Sequence, residues 1–234
     1  MKILKTYNEL FESKEFDFTY LNHKGLSELP EIPTDLVTLD CEYNIITELP
    51  KLPNNLINIS CSHNQLTKLP KLPNKLKKLD CRSNQLSELP ELPNTLKSLK
   101  CVNNKLLSLP PLPNTLSVLS FGSNHIVNIT NIPNTLEQFM CSNNKLIKIP
   151  TLPNTLKYLI CNGNDIKEIS NLPNNLKILY CQNNNLSELP KLPKSMIELK
   201  CENNDNLPYK NLEEYWEWYY KENPEEKVAD EFNI

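Results

Sequence analysis

A 20-residue period runs through most of the chain and constrains its fold more than any other feature. Cys41, Cys61, Cys81, Cys101, Cys141, Cys161, Cys181 and Cys201 stand on one grid, and Phe121 fills its remaining point. Three residues after every grid point stands an Asn, from Asn44 to Asn204 without a gap. One Pro series runs unbroken from Pro33 to Pro193, and a second, Pro30 to Pro190, is interrupted only by Thr130 and Ser170. Written from Leu36, the unit is LxxLxCxxNxLxxLPxLPxx, and nine such units reach to about Leu207. A degenerate unit precedes them, with Leu21 at the Cys place, Leu26 retained and Lys24 at the Asn place.

The pattern dictates local structure. Leu36, Leu39 and Cys41 mark a short strand with one buried face. Ile46, Leu49 and Leu52 add apolar anchors three residues apart. Pro after Leu49 and Leu52 forbids a stable helix on the return arc and pushes the preceding residue to extended geometry. The arc is therefore expected to be polyproline-II-like. One unit cannot bury its own leucines, but units stacked about 4.8 Å apart can, so ten of them make a curved stack of about 45–50 Å.

The spacing resembles the leucine-rich repeat in its short form, as in the repeats of IpaH-type bacterial effectors and in proteins of large DNA viruses. The resemblance implies a right-handed solenoid of the α/β leucine-rich-repeat class. Its concave face is a parallel β-sheet and its convex arcs are polyproline-II-like. A stack needs covered ends. Leu4, Tyr7, Leu10 and Phe11 suggest a helical cap in residues 1–15, ahead of repeats spanning 16–207. Residues 208–234 form the other cap, with Leu212, Tyr215, Trp216, Tyr219 and Tyr220 at helical spacing. From residue 205 onward there are nine acids and three lysines, which makes this end strongly acidic.

Several function classes are disfavoured. With only 3 Gly the chain has no glycine-rich phosphate loop, and a net charge of −3 gives no global pull toward nucleic acid. No apolar run approaches the ~18 residues of a membrane span, so no membrane partner is expected. The first residues lack a secretory apolar core, and a cytoplasmic protein is expected, in a host cytoplasm if it is effector-like. The cysteines lack CxxC ligand spacing and read as small buried hydrophobes, with no metal or cofactor. Cysteines one period apart would come within disulfide reach, but their side chains point in parallel into the core, so eight free thiols are expected. The Asn series reads as a scaffold ladder, because a catalytic residue does not recur in every unit. His23, His63 and His125 have no nucleophile or ligand partner at a recognisable spacing. The ubiquitin-ligase domain that accompanies IpaH-type repeats needs a large domain with a nucleophilic Cys. Only about 30 residues follow Cys201, none of them Cys, so no catalytic residue is assigned and no enzymatic activity is expected.

Function then falls to the outward strand positions of the concave face, where scaffolding has no use for apolar side chains. Val102, Val118, Met140, Tyr158, Ile160, Ile178 and Tyr180 fall there in the later units, beside Lys77, Lys78, Arg82, Lys97 and Lys100. An apolar patch bordered by charge marks a partner site; the alternative is that strand propensity and an Ile-rich composition placed these residues. The expectation is a monomeric, non-catalytic scaffold that binds another protein. Two rivals are an adaptor recruiting an enzyme through the acidic tail around Tyr215, Trp216 and Trp218, and a nucleic-acid binder using the Lys/Arg group.

Overall fold

The computed structural model describes residues 21–226. The cap expected in residues 1–15 lies outside them. Nine three-residue strands form one parallel sheet in chain order: β1 (Thr38–Asp40), β2 (Asn58–Ser60), β3 (Lys78–Asp80), β4 (Ser98–Lys100), β5 (Val118–Ser120), β6 (Gln138–Met140), β7 (Tyr158–Ile160), β8 (Ile178–Tyr180) and β9 (Glu198–Lys200). Each residue pairs with its counterpart one period on, Leu39 with Ile59 and Leu159 with Leu179. Parallel strands need a crossover between them, and that crossover is usually helical. Here the prolines exclude a helix, and each arc runs without regular structure through one tight turn, as where Leu36 N–H donates to Pro33 O at 3.1 Å.

The chain leaves each strand through a residue with positive φ. These are Tyr43, His63, Ser83, Asn103, Ser123, Asn143, Asn183 and Asn203, with φ between 53° and 57°, and Gly163 at 66°. The left-handed step changes which neighbour the backbone bonds. Tyr43 N–H donates forward to Ser62 O at 3.0 Å, while Ile45 N–H donates back to Leu26 O at 2.9 Å. At that reversal some amides and carbonyls find no backbone partner, and the Asn ladder supplies one. Asn104 Nδ2 donates to Cys81 O at 3.0 Å and Cys101 O at 3.1 Å, and its Oδ1 accepts Leu86 N–H at 3.0 Å. The arrangement repeats from Asn44, whose Oδ1 receives Leu26 N–H, to Asn204, which receives Leu186 N–H. A second ladder lies on the return arc. Thr95, Thr115, Thr135, Thr155 and Ser195 place a hydroxyl between two carbonyls of the preceding unit, 2.8 and 2.9 Å away for Thr115.

The interior is one continuous apolar column from Leu21 to Tyr215. Every cysteine lies in it, free and buried. Phe121, at the empty grid point, is fully buried and packs 5.9 Å from Phe139. In the same stretch Leu109, Leu112, Ile132 and Ile149 are only partly buried, whereas Leu49, Leu52 and their other equivalents are mostly core.

The stack ends on helix α1 (Leu212–Glu222), which begins at N-cap Asn211. Asn211 Oδ1 accepts Glu214 N–H at 3.0 Å, and Glu214 reaches back to Lys210 N–H at 2.8 Å, a reciprocal cap. Lys200 and Asn211 form an antiparallel bridge that closes the open edge of β9. Tyr209 and Tyr215 are 2% and 1% exposed, and the Tyr215 hydroxyl accepts Leu192 N–H at 3.1 Å. Of the tail residues expected at helical spacing, Tyr215 is buried in the core, and Leu212, Trp216 and Tyr219 pack against it partly buried.

Candidate protein-binding surface

The strand pleat sorts each three-residue strand the same way. The central residue enters the core and its two neighbours face the concave side, as in β7, where Leu159 is buried between half-buried Tyr158 and Ile160. Register then decides which outward residues meet. Tyr158 lies beside Ile178, and Ile160 lies between Met140 and Tyr180. These five side chains occupy adjoining positions on three successive strands.

Two residues of the sequence-derived group stand apart. Gln138 separates Val118 from Tyr158. Val102 lies beyond β4 in the row occupied by Arg82 and Gly122, with the Ser120–Gly122 unit between it and Met140. The seven apolar residues are therefore a cluster of five with two outliers, because grid position fixes the row but not the residues that intervene.

Charge bounds the cluster on both sides. Lys200 Nζ lies 4.3 Å from the centre of the Tyr180 ring and 3.2 Å from Glu198 Oε1. Hydrogen bonding to Tyr180 and then Lys200 holds the Glu198 carboxyl below its ordinary range. Toward the N-terminus, Lys77, Lys78 and Lys97 are exposed and Lys100 is half-buried. Arg82 belongs with them in sequence only. Its guanidinium is forked onto Asp80, with Nε 2.8 Å from Oδ1 and a terminal nitrogen 2.7 Å from Oδ2, which neutralises its charge locally. Lys177, one residue before β8, is an exposed cation that the strand-position reading missed.

Two more surface features escaped that reading. His23, Tyr43 and His63 share the left-handed position and stack face to face, with ring centres 4.4 and 4.3 Å apart. Their 20-residue spacing was the available signal. Leu107, Val127 and Ile147 are 68%, 52% and 54% exposed, at a position where other units carry Thr, Ser or Lys. They lie off the strands, away from the concave rows.

The thiols are free and buried in the core. Burial pushes Cys161 and Cys41 up to about 12, and the same cause raises Cys61, Cys81, Cys101, Cys141 and Cys181. A thiol so held is protonated and a poor nucleophile or ligand at neutral pH. Among the described residues no three His, Cys, Asp or Glu side chains come together as a metal site, and no helix is long and apolar enough to cross a membrane.

A parallel sheet closed by proline-bearing arcs and knitted by an Asn ladder defines a leucine-rich-repeat solenoid. No protein-family model matches the sequence, and no curated protein does. Solved structures do. YopM, a leucine-rich effector protein from Yersinia pestis, is 32% identical with a TM-score of 0.70, over 78% of this chain and 59% of that one. YopM from Yersinia enterocolitica is 33% identical with a TM-score of 0.65, over 75% of this chain and 45% of that one. A Shigella effector leucine-rich-repeat domain is 35% identical with a TM-score of 0.61, over 65% of this chain and 71% of that one. The chain belongs to the leucine-rich-repeat family, in the short-unit form of bacterial effectors. It spans only about half the length of the two Yersinia structures.

Proposed function

We propose that the protein is a non-catalytic scaffold that binds another protein on the concave face of its later units. The observation that carries this is the cluster of Met140, Tyr158, Ile160, Ile178 and Tyr180, which faces outward from the sheet while Phe139, Leu159 and Leu179 fill the core beneath it. Those five side chains have no packing duty that requires them to be apolar. Large aromatic and aliphatic groups at the centre of a concave surface are the residues that carry binding energy in protein interfaces. The likeness to bacterial effector repeats supports a host-directed role in a host cytoplasm. The tail is the weaker site, because Tyr215 and Tyr209 are spent on the core and Trp216 and Trp218 pack against it.

The test is capture from a cell lysate by wild type and by the Tyr158→Ser/Ile160→Ser/Tyr180→Ser variant. Wild type should retain partners that the variant releases. Identical capture by both would remove the concave cluster from consideration.

A further inference from the structure

The concave reading leaves the partner's chemistry open, and charge narrows it. Lys77, Lys78, Lys97, Lys100 and Lys177 form no ion pair among the described residues, while Arg82, Lys157 and Lys200 are each held by Asp80, Glu137 and Glu198. Asp80, Glu137 and Glu198 are thus already paired, and four of the five cations without an ion pair, Lys77, Lys78, Lys97 and Lys100, lie on the β3–β4 side of the apolar cluster. Resting on the concave reading, we infer that the bound segment is acidic, with its carboxylates set off to one side of its apolar anchors.

Strand spacing gives the separation. Lys100 lies on β4 and Lys78 on β3, three and four strands from Ile160 and Tyr158 on β7. At about 4.8 Å per strand this is about 14–19 Å. An extended segment crossing the sheet covers that distance in about four to six residues. The acids of the partner therefore precede or follow its apolar anchors by that interval. Charges so placed steer the encounter and fix the register, while the anchors hold the complex.

A single nucleic-acid strand fits this surface poorly. It carries a phosphate at every nucleotide and asks for cations along the whole groove with flat rings between them. Here the cations stand apart from the cluster, three of its five side chains are Met140, Ile160 and Ile178, and one face of Tyr180 is taken by Lys200.

The experiment uses the full chain and labelled synthetic peptides followed by fluorescence anisotropy. Each peptide carries three Glu and an Ile-x-Tyr anchor separated by about one, five or ten residues, in both chain directions, and an oligo(dT) of similar length is the comparison. The peptide with the middle spacing should bind about tenfold tighter than its Glu→Gln counterpart at low salt and lose that advantage at about 300 mM salt. Lys78→Glu with Lys100→Glu should remove the same advantage and leave the Gln peptide unaffected. Equal binding of Glu and Gln peptides, indifference to spacing, tighter binding of oligo(dT), or binding of no peptide would each overturn the acidic assignment. Tyr158→Ser with Ile160→Ser separates the two readings. If that variant loses every peptide while Glu and Gln peptides bind wild type alike, the acidic partner falls and the concave site stands. If it binds all peptides as wild type does, the concave site itself falls.

Discussion

Asn104 shows how much rests on one side chain in each unit. Its side chain meets three backbone carbonyls, of Cys81, Cys101 and, more distantly, Val102, and one backbone amide at the point where the chain reverses. Asn104→Ala would leave the buried Leu86 N–H without its partner and take one of two side-chain donors from Cys81 O and Cys101 O, which Asn84 and Asn124 still reach. The expected loss is about 1–3 kcal/mol, read as a lower urea midpoint; an unchanged midpoint would sink the ladder argument. The cysteines make a different demand. In the unfolded chain Cys161 loses its proton near its ordinary value of 9.0, whereas in the fold burial holds that proton to about 12. Between those values the native state binds the extra proton, so this thiol's contribution to stability is intact below about pH 8 and is lost as pH rises toward 12. The slope approaches about 1.4 kcal/mol per pH unit for one thiol. Cys161→Val should therefore show a shallower alkaline decline in melting temperature than wild type, and equal slopes would contradict the burial. Tyr43 places a bulky side chain at φ 56°, in the left-handed region that such residues rarely adopt. Its ring is stacked between the imidazoles of His23 and His63.

At the scale of elements, the arcs and the cap solve separate problems. Proline keeps the arcs extended and lets a 20-residue unit close without a helix. The hydroxyl ladder then satisfies carbonyls that a helix would have paired internally. At Gly163 the Asn143 side chain of the preceding turn takes the space a side chain would need, since a Cβ there would lie 2.3 Å from Asn143 Oδ1 but 3.5 Å from its backbone N, at a φ that already favours Gly. The cap helix works through Tyr215, whose ring completes the core and whose hydroxyl takes an amide of the preceding arc. Tyr215→Phe keeps the ring and should cost about 0.5–1.5 kcal/mol, with hydrogen exchange at Leu192 accelerating before that of the central units. Uniform exchange across the stack would mean that the helix is not the boundary it is taken for. Asn211→Ala should cost about 1 kcal/mol more locally through loss of the N-cap, seen as reduced helicity at unchanged sheet content.

For the whole molecule, stability is summed between neighbours, since each strand bonds only to the next. The core column and the concave face are then separable. Replacing Tyr158, Ile160 and Tyr180 by Ser should move the unfolding free energy by about 0.5 kcal/mol per site or less, because none of them fills the interior. A large drop in thermal stability would show that the cluster belongs to the fold and would void its reading as a binding surface.

Much of this architecture was legible in the chain before any coordinates. A fixed period forces equal units, Leu and Cys at alternating places force a one-faced strand, and paired prolines exclude a helix. Those are local constraints, and a linear pattern states them fully. The two concave rows, Tyr158 with Ile178 and Ile160 with Tyr180, follow from the same pattern, because in-register stacking carries each residue to its counterpart 20 positions on. What the pattern could not state was pairing across rows and between neighbours. That Arg82 is neutralised by Asp80 while Lys78 is free, that Gln138 and the Ser120–Gly122 unit divide the apolar group, and that Tyr43 is gripped by two histidines all depend on side-chain direction in three dimensions. The tail is a further instance. Its helically spaced aromatics already suggested a cap, with a recruiting arm as the rival, but which rings enter the core, Tyr209 and Tyr215, and which stay only partly buried, Trp216 and Trp218, depends on how the helix meets the last unit.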